Sequence, residues 1–177
     1  SLAEEVERDV KRLDEENKRL DDRSRREVEK MDEENKKLIE DARREVREMI
    51  EKLKKLKGTS EETVERIKRE VEKVLRELEE RVRRLAEKNK EVVERLKKEY
   101  EEAAKKNKEV LDDIRRRLLD VDEKLKELAK RLRDSLERSK EELKKLEEEL
   151  RKSIKELEDA LKKLEEDLRD VIRKLEE

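Results

Sequence analysis

Between Val64 and Leu175 every third or fourth residue is uncharged and mostly apolar. Val64, Ile67, Val71, Val74 and Leu78 open the series, and a 3, 4, 3, 4, 4 spacing carries it without error to Leu168, Ile172 and Leu175. Apolar positions at that interval mark one face of an α-helix. Five positions per eighteen residues is the 3.6-residue turn of a straight helix, between the heptad that winds left and the eleven-residue repeat that winds right. The same rule governs Leu2, Val6, Val10, Leu13, Asn17, Leu20 and Ser24, and continues to Leu53 and Leu56. The period is visible as text: RDVKRLDEENKRLDDRSR (8–25) is followed by REVEKMDEENKKLIEDAR (26–43). No charge falls on either stripe.

One clear interruption separates the two series, at Lys57-Gly58-Thr59-Ser60. Gly58 suits the left-handed position that ends a helix. Thr59 or Ser60 can cap the next helix, and Thr59 with Glu62 has the spacing of a capping box. So short a link joins antiparallel neighbours. The predicted fold is all-α: an antiparallel hairpin whose second helix is very long and continuous to the C-terminus, assembling into a multi-helix bundle. Its parts are an outer helix over 1–57, a turn at 58–60, an inner helix over 61–117 and an extension of that helix over 118–177. A second stripe, Leu75, Ala86, Val93, Ala104, Leu111 and Leu119, widens the apolar face of the inner helix. The alternative is three equal antiparallel helices with a second turn near 119–122. There Asp120-Val121-Asp122-Glu123 could form a capping box, but the repeat passes through in phase and no Gly is present.

Composition changes this picture little. Charged residues make up 62% of the 177 and hydrophobics 31%, with 54 Lys+Arg against 56 Asp+Glu. Such a balance alone describes a disordered polyampholyte; the stripes override it, and must be buried by other helices. The chain has no Cys and no His, so thiolate chemistry, disulfides and the usual di-iron bundle motif are absent. Basic residues do not segregate to one face and nothing aromatic accompanies them, so no nucleic-acid partner is expected. No apolar run reaches the ~18 residues that span a bilayer, and neither a membrane partner nor a targeting signal is expected. No catalytic, cofactor-binding or metal-ligating set stands out, and no small-molecule ligand is expected. The carboxylates lie off the stripe beside Lys or Arg, as solvated ion pairs.

The polar residues on the stripes are the candidates for a role. Asn17, Asn35, Asn89 and Asn107 are all the asparagines of the chain, and every one occupies a stripe position. Each pair is separated by one eighteen-residue period. An unpaired buried amide costs about 1–3 kcal/mol, and an Asn on a helical seam fixes register and partner number. Ser24, Ser139 and Tyr100 lie on the stripes too. Tyr100, the lone aromatic, is expected near the level of Asn17, its hydroxyl joining an Asn/Ser network.

The faultless repeat, the single KGTSEE-type turn, the confinement of Asn to stripe positions and the absence of Gln, His, Cys, Pro, Phe and Trp together resemble a de novo designed, parametrically generated helical bundle with buried hydrogen-bond networks. The resemblance covers the whole chain. It implies a structural building block whose only activity is self-association, with a trimer-based homo-oligomer, possibly dihedral, as the expected partner state. The alternative is a natural-like coiled-coil rod acting as spacer or tether.

Overall fold

The computed structural model describes residues 2–56, 58, 60–117 and 123–177. They form three helices: α1, Leu2–Lys54; α2, Glu61–Arg117; and α3, Glu123–Glu176. Helix α1 ends three residues before the expected boundary, and residues 55 and 56 already belong to the turn. Leu56 N–H donates to Leu53 O at 3.1 Å, and Gly58 follows at φ 89°, a conformation that costs glycine little. Ser60 then caps α2: its Oγ accepts the Thr63 N–H at 3.4 Å and its carbonyl accepts the Val64 N–H at 3.1 Å. Glu61 and Glu62 in the first turn of α2 and Arg115, Arg116 and Arg117 in its last complement the helix dipole.

The chain divides into two compact units. One comprises Ser1–Glu29 and Glu91–Glu149, so it holds a segment of each helix. Its core is Val6, Val10 and Leu13 of α1, Ile114 of α2, and Leu125, Leu128, Ala129 and Leu132 of α3. The other unit comprises Lys30–Lys90 and Leu150–Glu177. Ala42, Val46 and Leu53 pack there with Ile67, Val71, Leu75 and Leu78 and with Leu164 and Leu168. A neighbouring cluster joins Ile39, Val82, Leu157 and Ala160.

The expectation of a second helix continuous to the C-terminus is corrected by these contacts. Asn107 of α2 and Ser135 of α3 both hydrogen-bond to Asn17. In one straight helix they would lie ~42 Å apart along the axis. The physical reason is burial. Leu132, Leu146, Leu150, Leu157 and Leu168 of α3 are fully buried, each worth about 1.5–3 kcal/mol against exposure. As a bare extension, α3 would leave that stripe without cover. Its inward face is also turned from the one the spacing indicated. Ser135, Ser153 and Ala160 are buried, whereas Leu136, Leu143, Ile154 and Leu161 are half-buried. The capping role assigned to Asp120, the stripe positions Leu118 and Val121, the flanking Leu119, and the cap at Thr59 lie outside the described residues.

Spin labels at Lys108 and Lys130, both exposed, test this arrangement. With α3 packed on α2, interaxial spacing of about 8–10 Å should produce strong dipolar broadening in chains diluted into unlabelled protein. A separation near the ~33 Å of a continuous helix would refute the fold-back.

Candidate functional site

The polar residues of the interior gather into three clusters, two of which repeat one arrangement. In the first, Asn17 Nδ2 donates to Asn107 Oδ1 at 3.1 Å and to Ser135 Oγ at 3.0 Å. Asn107 Nδ2 returns a bond to Asn17 Oδ1 at 3.3 Å and gives its other hydrogen to Ala103 O at 2.6 Å. In the second, Asn35 Nδ2 donates to Asn89 Oδ1 at 2.9 Å and to Ser153 Oγ at 2.8 Å. Asn89 Nδ2 donates back to Asn35 Oδ1 at 2.9 Å and to Leu85 O at 2.7 Å. All six side chains are buried. Each amide pair therefore uses all four of its N–H hydrogens. A buried amide left short of partners would lose stability.

The serines connect each pair to a carboxylate. Ser153 Oγ donates to Asp32 Oδ1 at 2.6 Å, and Ser135 bonds Asp14 in the same way. Burial pushes both carboxyls up, but hydrogen bonds outweigh it. Asp14 is held below the ordinary carboxylate value by Ser135, Arg138 and Lys18, and Asp32 by Ser153 and Lys36. The Arg138 contact to Asp14 is 2.9 Å. Every member steps by one period from copy to copy, from Asp14 to Asp32, Asn17 to Asn35, Asn107 to Asn89 and Ser135 to Ser153.

The third cluster has no polar copy. Tyr100 donates its phenol hydrogen to Asp21 Oδ1 at 2.9 Å, and Ser139 donates to Asp21 Oδ2 at 3.2 Å. All three are buried. One period away stand Ile39, Val82 and Leu157, which form an apolar cluster instead. Burial raises the Asp21 carboxyl, and the nearby Glu142 adds to the rise; the bonds from Tyr100 and Ser139 offset only part of it. Burial likewise raises the Tyr100 phenol, with the Asp21 charge acting in the same direction. Ser24 sits beside the phenol, yet its buried Oγ has no hydrogen-bond partner at bonding distance. One period on, its place is taken by Ala42, also buried.

Asn17, Asn35, Asn89, Asn107, Tyr100, Ser24 and Ser139, the residues singled out by the stripe, are thus all buried. The four asparagines pair with one another as two couples. Tyr100 and Ser139 join Asp21 rather than the amides. Sequence reasoning missed Asp14, Asp21, Asp32, Ser135 and Ser153, since it placed the carboxylates in solvent. Two signals pointed to all of these but Asp21. The repeated DEEN begins at Asp14 and at Asp32, and every serine within the three helices, Ser24, Ser135, Ser139 and Ser153, is buried.

Beside the first cluster a groove of about 300 Å³ opens at Ala103, where the copy has Leu85; Leu13 and Leu20 line it together with Asn17 and Asn107. Glu165 faces Glu79, and burial together with that neighbour raises its carboxyl. Among the described residues no group of three or more His, Cys, Asp or Glu could hold a metal ion, and no helix is long and apolar enough to cross a membrane. The clusters can hold protons and fix geometry.

No protein-family model matches the chain, and no curated protein matches it. Among solved structures the chain is similar to one described as a computationally designed three helix bundle, at a TM-score of 0.49 and 21% identity, over 98% of this chain and 84% of that one.

Two substitutions test the clusters. Asn35→Ala strands Asn89 and Ser153 and should destabilise by about 1–3 kcal/mol in chemical denaturation; a loss under 0.5 kcal/mol would refute a fully bonded pair. Asp21→Asn should act in the opposite direction. Because the folded-state pKa of Asp21 is raised, its ionised form weakens the fold above that pKa, and the penalty fades as pH falls through it. The variant should therefore melt higher than the parent at pH 7, and the gap should narrow toward pH 4. A gap that widens in acid would contradict the assignment.

Proposed function

We propose that the chain is a designed structural protein: a helical-bundle scaffold with no natural biochemical activity and no enzymatic role. The observation that carries this reading is the doubled cluster. The same Asp, Asn, Asn and Ser recur at an unbroken eighteen-residue step in all three helices. A repeat kept in phase on three helices at once, in an alphabet without Gln, His, Cys, Pro, Phe or Trp, fits a backbone generated from a straight-helix rule and then given hydrogen-bond networks for specificity. In this reading α2 runs antiparallel to both other helices. Partner numbers fall along α2 as those of α1 rise: Asn17 meets Asn107 and Asp21 meets Tyr100.

The scaffold is closed within one chain, because α3 supplies the cover that the stripes of α1 and α2 need. Leu2 is the one exposed large hydrophobic among the described residues. A second reading keeps self-association into a trimer-based, possibly dihedral homo-oligomer. It is favoured by an apolar groove of about 240 Å³ bordered by Tyr100, Ala104, Leu136 and Leu143, which a second copy could cover. Light scattering decides between them. The single-chain scaffold should give the 21.6 kDa chain mass across a hundredfold range of concentration. A stable multiple of that mass would replace it with the assembling form. Either form would lose its designed origin if a sequence search returned natural relatives.

A further inference from the structure

The Tyr100–Asp21 pair has the parts of a one-electron redox site. Tyr100 is 6% exposed and its hydroxyl bonds a carboxylate at 2.9 Å. It is the only aromatic in a chain that also lacks Trp and Cys, so an electron vacancy on its ring has no second aromatic or thiol to move to. The two methionines, Met31 and Met49, react by oxygen-atom addition to the sulfoxide, a different chemistry from outer-sphere electron loss. We propose that Tyr100 is a reversible one-electron donor whose proton passes to Asp21 as the electron leaves, the oxidant being a soluble outer-sphere metal complex or an electrode.

The step balances within the pair. The oxidant gains one electron from the phenol ring. The Tyr100 O–H bond breaks, an O–H bond forms at Asp21 Oδ1, and a neutral phenoxyl faces a neutral carboxylic acid. Reduction reverses both transfers. Ser139, bonded to Asp21 Oδ2, keeps the carboxylate in place while Oδ1 takes the proton. Burial favours the exchange on both sides: it opposes release of a bare phenolate, and it makes the ionised Asp21 a readier proton acceptor than an exposed aspartate. It also keeps the rings of two chains from meeting, which closes the usual route to dityrosine. The charged groups around the pair are Arg25 on α1, Lys97 and Glu101 on α2, and Arg138, Lys140, Glu142 and Glu147 on α3.

Film voltammetry of the intact protein, with electron paramagnetic resonance of the oxidised sample, tests this. Scanned faster than a buried carboxyl releases its proton to water, between about pH 7 and pH 9, above the ordinary carboxylate range and below that of tyrosine, the pair keeps its proton. The parent should show a reversible wave with a flat potential and a phenoxyl signal. Asp21→Asn offers no base, so its proton must go to water. On the same fast scan its wave should move to higher potential and lose its return peak. Tyr100→Phe should abolish the wave and the radical. A sloping parent, an irreversible parent wave, dityrosine among the products or a wave that survives in Tyr100→Phe would each overturn the proposal. The parent profile alone suffices should Asp21→Asn fail to fold.

Discussion

The structure depends on one requirement: an amide carried into a helical interior must find a partner for every hydrogen. Asn35 and Asn89 meet it reciprocally, and the hydrogens left over reach Ser153 and the Leu85 carbonyl. Three elements are needed to close such a set, because two helices alone leave the second Asn35 hydrogen without a protein partner. The amide pairs thereby make the position of α3 a condition of the α1–α2 interface. Aliphatic side chains on all three helices supply most of the energy through burial, but an aliphatic stripe tolerates displacement by a turn far better than a bonded amide does.

The carboxylates extend this logic to charge. Asp14 and Asp32 are drawn inward, but each keeps hydrogen-bond donors or cations about it and remains acidic. Asp21 has a tyrosine and a serine as its bonded partners and is pushed the other way. The same residue type thus occupies two electrostatic conditions within one fold. The difference lies in whether an ammonium or guanidinium can reach the buried oxygen.

Much of this was legible in the chain. The stripes predicted helices and the buried Asn positions, and Gly58 marked the turn. The course of the last third was not, since continuity of phase does not entail continuity of helix. A period of eighteen over five is a property of any straight helix, so α3 inherits it whether or not it is joined to α2. Phase says which face is apolar, not what covers it. The buried aspartates were hidden for a related reason. Asp14 and Asp21 stand one position from apolar stripe residues, Leu13 and Leu20, and a two-valued apolar/polar reading assigns such flanking sites to water. The serines told more, because Ser is an ordinary surface residue, yet within these helices it appears only in the interior.

The difference between the repeated and unrepeated clusters bears on uniqueness. Two identical amide sites on each strand of a hairpin create an ambiguity: sliding α2 by eighteen residues along α1 would bring Asn17 to Asn89, or Asn35 to Asn107, and re-form one good pair. The third cluster breaks this degeneracy. In the first slide Asp21 would face Val82, and in the second Tyr100 would face Ile39. A carboxylate stranded among methyl groups costs several kcal/mol as an unpaired buried charge, and an unbonded phenol about 1–3 kcal/mol. The asymmetric trio therefore works as a key cut on one side only, which lets a sequence that repeats itself still admit a single alignment.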